Sequence, residues 1–351
     1  MGTEISGRPE LSTLAGMKRR FDRLGRRLAF RARTRQEWRR WRAALRRKLR
    51  ELTGYAAMRR APLRPCLTER QSVGEFVRER VEIQTEPGVV MPLYVIRLAQ
   101  AQPPLPAVIC AHGHGSGGKL SPAGVRDITE VAAAIEQYNY DYGLQFARAG
   151  FITFCPDARG FGERREPDVP LMSSSCQWIN QMAYPLGQTV TGMWAWDLSR
   201  LIDYIGTRRD CRPGLVGCAG LSGGGLQTLW VSALDGRVRC AVVSGYFYGY
   251  KESLLVLHRN CSCNYVPRLY EYADIGDVGA LIAPRPLLIE TGDRDPLNGP
   301  SGVANVRSQV AILRRAYRLL GASDALKHHL FEGEHRWHGA EAIPWMKRWL
   351  A

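Results

Sequence analysis

Ser222 stands in Gly220-Leu221-Ser222-Gly223-Gly224, with a glycine two positions to either side. A serine hydroxyl is a weak nucleophile until a base takes its proton, and an imidazole base needs a carboxylate to orient it. Two later stretches carry such groups. Thr291-Gly292-Asp293-Arg294-Asp295-Pro296 offers two carboxylates, and Glu332-Gly333-Glu334-His335-Arg336-Trp337-His338-Gly339 offers two imidazoles. Together they could transfer an acyl group through a covalent serine intermediate.

These residues need elements to position them. The apolar run 215–219 predicts a buried strand and 226–234 a helix, so the serine falls on the turn between them. This is the G-x-S-x-G spacing of a nucleophile elbow. Its glycines answer two demands: strained backbone angles at the serine, and a strand and helix crossing too closely for side chains. The helix also turns its free N–H groups and positive dipole end toward an oxyanion formed beside Ser222, with the Gly223 N–H as one donor. A glycine-rich turn with no chemistry is the competing reading, and the downstream groups argue against it. Strands over 286–290 and 327–331 end just before the two candidate loops. Asp295 is the expected carboxylate, because it lies deeper in its turn while Asp293 caps that turn. His335, a short loop after its strand, is the expected base. His338 and Asp293 stay as alternatives.

The rest of the chain supplies a frame. Residues 81–86 and 89–97 alternate apolar and polar around Pro87-Gly88, which predicts an antiparallel hairpin. Residues 106–111 form an apolar strand ending in His112-Gly113-His114-Gly115. A helix over 128–149, a strand over 151–155, the Asp157-x-Arg159-Gly160-x-Gly162 loop and a helix carrying Trp194, Trp196, Leu198, Leu201 and Ile205 follow. Asp157 and Arg159 read as a paired brace. A strand over 238–243, a helix over 303–320 and a last helix over 340–350 complete an alternation that predicts a mostly parallel, doubly wound sheet of about eight strands. The patternless stretches 163–186 and 245–270 fall after strands and are expected to wall a substrate pocket. Trp178, Tyr246, Tyr248 and Tyr265 would be its aromatic surfaces.

Charge separates an N-terminal segment, 1–77, from the body, 78–351. Residues 18–60 hold 18 lysines and arginines against three acidic residues, a net of +15 out of +16 for the whole chain. The body is therefore near neutral. Thr34-x-x-Glu37 is a capping box, and Trp38, Trp41, Leu45, Leu49 and Leu52 then recur at helical spacing. Five apolar side chains outweigh surface arginine contacts, so this helix is expected to dock on the body or across a homo-oligomer interface with its arginines solvated. Nucleic acid is not an expected partner. Residues 1–16 show no pattern, and Met1-Gly2 with Ser6 matches a lipidation signal too loose to use. No stretch reaches the ~20 apolar residues of a membrane span, and there is no signal-peptide core. Nine cysteines, four of them in predicted strands, suit reduced thiols in a cytoplasmic protein. Cys261-Ser262-Cys263 has no Cys/His pair at zinc spacing nearby, so no metal is expected.

Taken in order, His112-Gly113-His114-Gly115, Asp157-x-Arg159-Gly160-x-Gly162, Gly220-x-Ser222-x-Gly224, Gly292-x-x-Asp295 and Gly333-x-His335 resemble the dienelactone hydrolase and acetyl xylan esterase-like branch of the α/β-hydrolases, over about residues 78–350. The preceding helix resembles the N-terminal extension of some members. The resemblance implies an α/β-hydrolase fold and a Ser222, Asp295, His335 triad. The second oxyanion donor would be the backbone N–H of His114, with His112 shaping the loop. Ser222 replaces the cysteine of true dienelactone hydrolases, which points to a small carboxyl ester such as an acetylated carbohydrate, with no cofactor. A peptidase of the prolyl oligopeptidase type would use the same triad but needs a large gating domain. A non-catalytic binding protein would not need the full set.

Overall fold

The computed structural model describes residues 11–258 and 260–350. The Met1-Gly2 and Ser6 pattern, and most of the patternless 1–16, lie outside them. Its sheet has nine strands: β1 (Cys66–Val73), β2 (Phe76–Glu86), β3 (Val89–Leu98), β4 (Leu105–Ala111), β5 (Ile152–Pro156), β6 (Cys211–Leu221), β7 (Cys240–Ser244), β8 (Leu287–Gly292) and β9 (Leu326–Phe331). Their spatial order is β1-β2-β3-β5-β4-β6-β7-β8-β9. β1 to β3 are antiparallel and meet β5 antiparallel, whereas β4 to β9 pair parallel. The sheet exceeds the expected eight strands by β1. Its residues Cys66-Leu-Thr-Glu-Arg-Gln-Ser-Val73 are nearly all exposed, so no buried face imposes a pattern on them. Its backbone ladder to β2 holds it in place.

The central parallel strands are buried on both faces, with β9 a half-buried edge, and two cores result. One lies under the helices Val190–Ile205, Gly223–Leu234, Ile275–Ala280 and Val303–Leu320; the other lies under Thr129–Tyr138, Tyr142–Arg148 and Ala342–Leu350. This layering follows from crossovers that put helices over both faces of parallel strands. The single helix expected over 128–149 is two. Asn139 breaks it in the left-handed region at φ 54°, where its amide donates to the Trp337 carbonyl at 3.2 Å. Asparagine tolerates that conformation better than most residues. Cys110, Cys155, Cys218 and Cys240 are buried in β4, β5, β6 and β7, and all nine cysteines are unpaired. No helix among the described residues is long and apolar enough to cross a membrane.

The arginine-rich arm docks on the body of its own chain. Its helix Arg35–Leu52 begins at the Thr34–Glu37 capping box and buries Trp38, Leu45 and Leu49. The chain before it is pinned as well: the Phe30 N–H donates to Asp277 at 2.8 Å, and Arg26 pairs with the same carboxylate at 3.2 Å. Of the two surfaces expected for the apolar stripe, the body of its own chain covers Trp38, Leu45 and Leu49, with Trp41 and Leu52 partly buried. Nor are all the arginines solvated. Arg46 and Arg50 donate to the Ala233 and Leu234 carbonyls at 3.1 Å each. Ala233 and Leu234 end the helix Gly223–Leu234, so these cations cap its unsatisfied carbonyls and meet its negative dipole end. Burial, then the charges of Arg42 and Arg285, push the Arg46 guanidinium down to about 10.

Leu45 is fully buried at this junction. Leu45→Ala should cost about 2–5 kcal/mol, as deletion of a core leucine does, read as a lower denaturant midpoint with an unchanged slope. A cost below about 0.5 kcal/mol would mean that the arm is not part of the folded body.

Candidate active site

β6 runs into the helix Gly223–Leu234 with one residue between them. That residue, Ser222, takes φ 59° and ψ −118°, a strained combination for a side-chain-bearing residue. Its N–H donates to the Ser244 carbonyl at the end of β7, 2.9 Å away. The flanking glycines are dictated by packing: a Cβ on Gly220 would stand 2.5 Å from the Ala111 carbonyl oxygen, and one on Gly224 would collide with the same oxygen. All twelve helix residues are buried, an all-round burial that orients the elbow from every side. Ser222 stands at the carboxyl end of β6 beside β4, where the strand order turns from β5-β4 to β6-β7. Such switch points open the crevice that α/β proteins use for ligands.

The loop after β4 passes directly over the elbow. A Cβ on Gly113 would lie 2.6 Å from the Leu221 oxygen, so only glycine lets the two main chains approach. His112 is buried and shapes the loop: its Nε2 accepts from the Ala158 N–H at 3.1 Å, and Nδ1 lies 3.0 Å from the Gly113 oxygen. Burial pushes this imidazole down to about 4, so it stays neutral across the physiological range. The Gln227 amide, from the elbow helix, donates to the His112 carbonyl at 2.7 Å. The His114 and Gly223 N–H groups donate to no protein acceptor among the described residues.

β8 and β9 deliver the other two groups. Asp295 is 5% exposed; its Oδ1 accepts from the Leu297 N–H at 2.9 Å, which aims Oδ2 at His335 Nδ1, 2.7 Å away. Asp293 has a different partner: it accepts from the Gly333 N–H at 2.9 Å and so ties its turn to the histidine loop. His338 lies 3.2 Å from His329 and stacks on Phe331, outside the cavity that contains His335. Ser222 and His335 face one cavity of about 370 Å³, whose wall includes Tyr138, Tyr140, Tyr246, Tyr248, Asn260 and Asn264. A second lobe of about 680 Å³ continues past His335, Tyr138 and Leu297, lined by Arg294, Glu332, Glu334 and Arg336. A separate cleft of about 630 Å³ at the amino end of β6 holds Arg60, Arg200 and Arg237, all paired with Asp203, and contains neither Ser222 nor His335.

Several sequence expectations change here. Trp178 is 46% exposed and Tyr265 donates to the Leu254 carbonyl; neither lines the cavity, and no residue of 163–186 does. The helix Cys176–Ala183 instead backs the 261–264 turn from behind, its Asn180 amide donating to the Ser262 carbonyl at 2.9 Å. Asp157 and Arg159 do not pair. Asp157 holds the buried Lys119 at 2.7 Å, and Arg159 bridges Asp197 and Glu86 at 2.8 and 2.7 Å. Nor are Cys261 and Cys263 remote from other ligands: His114 Nε2 lies 3.6 Å from Cys263 Sγ, with Cys176 alongside. Tyr138, Tyr140, Asn260 and Asn264 escaped the sequence reading because single polar residues in irregular stretches carry no periodic signal.

Glu290, at the end of β8, is fully buried and accepts from the Gly339 N–H at 3.2 Å. Burial pushes its carboxyl up to about 7. The folded state thus keeps a proton that the unfolded state loses near pH 4.5, so this group's contribution declines as pH rises from about 4.5 to 7. The full cost above that range is about 3 kcal/mol. Glu290→Gln keeps an acceptor for Gly339 and never ionises. Its melts should match the parent near pH 4.5 and exceed it at pH 8; an advantage independent of pH would contradict the burial argument.

Comparison with known proteins agrees with this architecture. A Bacillus subtilis (strain 168) protein provisionally named hydrolase YtaP is 27% identical over 267 residues, which span 74% of this chain and 83% of that protein. A Bacteroides fragilis NCTC 9343 structure provisionally described as an acetyl xylan esterase superposes with a TM-score of 0.79 at 18% identity, over 99% of this chain and 97% of the other. A CE15 glucuronoyl esterase from Teredinibacter turnerae T7901 gives 0.64 at 17% identity, over 93% and 89%. At such identities the structural likeness speaks for the fold. The family model described as "Abhydrolase family" matches residues 3–348, nearly the whole chain, and the protein therefore belongs to that family of α/β-hydrolases.

Proposed function

We propose that this protein is a serine carboxylester hydrolase. The observation that carries the reading is one cavity that joins a strained, glycine-flanked serine to an imidazole whose far nitrogen is held by a buried carboxylate. In the proposed reaction His335 Nε2 takes the Ser222 proton as Oγ attacks the ester carbonyl. Asp295 orients the ring and stabilises the imidazolium. The Gly223 and His114 N–H groups, free of protein acceptors, hold the developing oxyanion, with the positive end of the elbow helix behind them. The alcohol departs with the proton from His335, and water then releases the acid by the reverse path.

The wall suits a small acyl group and a hydroxylated alcohol. The serine lobe is modest at about 370 Å³, with tyrosines and asparagines around it, and the outer lobe is lined by charged residues. Structural neighbours described as acetyl xylan and glucuronoyl esterases support a carbohydrate ester. A panel of nitrophenyl esters from acetate to long acyl chains, run beside acetylated sugars, tests the reading. Turnover should fall with acyl length and stop after labelling with a serine-reactive phosphonate. Absence of turnover on every ester, or activity surviving complete labelling of Ser222, would sink it.

A further inference from the structure

Three thiols and an imidazole from distant parts of the chain meet at the edge of the cavity. Cys176 opens the helix Cys176–Ala183, Cys261 and Cys263 flank a tight turn, and His114 belongs to the loop after β4. One ligand atom from each lies within 4.8 Å of all the others. A tetrahedral zinc ion with bonds of about 2.3 Å to sulfur and 2.0–2.1 Å to nitrogen sets its S···N edges near 3.6 Å and its S···S edges near 3.8 Å. His114 Nε2 and Cys263 Sγ are 3.6 Å apart.

We propose that His114, Cys176, Cys261 and Cys263 bind one zinc ion in a closed Cys3His site. Cys176 and Cys263 are fully buried, and the turn that carries Cys263 is fixed from outside the cluster. Thr191 donates to the Cys263 carbonyl at 2.6 Å, Asn180 to Ser262 at 2.9 Å, and Tyr184 to Tyr265 at 2.6 Å. The Asn264 amide points an N–H at Cys263 Sγ from 3.6 Å, a donor that suits a metal-bound thiolate. Zn²⁺ replaces three thiol protons, so neither an oxidant nor a reductant is required, and with a neutral imidazole the site carries a single negative charge. Four protein ligands leave no position for water or substrate, which makes the ion structural.

Its placement gives it a task. The ion would staple the helix Cys176–Ala183 and the 261–263 turn to the His114 loop, the loop that frames Ser222. Ligation through Nε2 would also fix the proton on His114 Nδ1. That edge of the ring faces Gly223, where an added Cβ would lie 3.0 Å from Nδ1. The competing chemistry is a disulfide between two of the thiols, formed by two-electron oxidation.

The test is metal content, which needs no turnover and so stands or falls apart from the esterase reading. Full-length protein would be loaded with zinc under reductant, desalted into metal-free buffer and assayed by mass spectrometry for metal. About one zinc per chain is expected. Cys176→Ser and Cys263→Ser should each retain less than a tenth, and Cys66→Ser, at an exposed site away from the cluster, should retain one. Should the serine variants not fold, cobalt(II) added to metal-free parent protein decides: thiolate charge-transfer bands with intense tetrahedral ligand-field bands are expected. Less than a tenth of a zinc per parent chain, an octahedral cobalt spectrum, full zinc retention in Cys176→Ser, or a metal-free protein with a disulfide among these cysteines would each overturn the proposal.

Discussion

Ser222→Ala is expected to abolish ester turnover, with a loss on the order of 10⁴-fold or more in kcat, while leaving the fold intact. The fold should survive because the structural contact at this position is made by the main chain: the Ser222 N–H to the Ser244 carbonyl, unaffected by loss of Oγ. Alanine can occupy the same strained angles, since the surrounding helix and strands impose them. The measurement is steady-state hydrolysis of a nitrophenyl ester, beside circular dichroism and a thermal melt. Retention of a tenth of the parent rate with an unchanged melt would remove Ser222 from the chemistry.

The second large effect separates paired candidates. Asp295→Ala should lower kcat by roughly 10³–10⁴-fold and His335→Ala by at least as much. Asp293→Ala and His338→Ala should each cost less than about tenfold. The reason is geometric: His335 Nδ1 has Asp295 at 2.7 Å, while Asp293 serves the Gly333 N–H and His338 serves His329. Because a nucleophile and its base act as a unit, Ser222→Ala combined with His335→Ala should be no slower than either alone. A dead His338→Ala beside an active His335→Ala would reverse the assignment.

The elbow was legible in the chain because its requirements are local. A serine forced to a positive φ, and a strand and helix crossing within a few residues, can be met only by glycines at fixed offsets, and Gly220 and Gly224 both abut the Ala111 carbonyl. The hairpin around Pro87-Gly88, the capping box at Thr34 and the alternation of apolar strands with helices are local in the same sense. The Trp38, Leu45 and Leu49 stripe announced a buried face, though not which surface would cover it. The placement of the two late loops followed from where strands ended, and that brought Asp295 and His335 into view as candidates.

Tertiary structure decided what depends on residues distant in sequence. β1 exists because β2 offers a free edge, and its own residues bury too little to show it. Arg46 and Arg50 read as solvated charge; they are helix caps because the carboxyl end of the elbow helix lies beneath them. Trp178 looked like a pocket wall and faces outward, since its helix turns Cys176 and Asn180 inward instead. The gathering of His114, Cys176, Cys261 and Cys263 has no spacing to betray it. Two loops and the first turn of the helix Cys176–Ala183 carry those four side chains, and only their packing at the ends of a parallel sheet brings one ligand atom of each within 4.8 Å of the others.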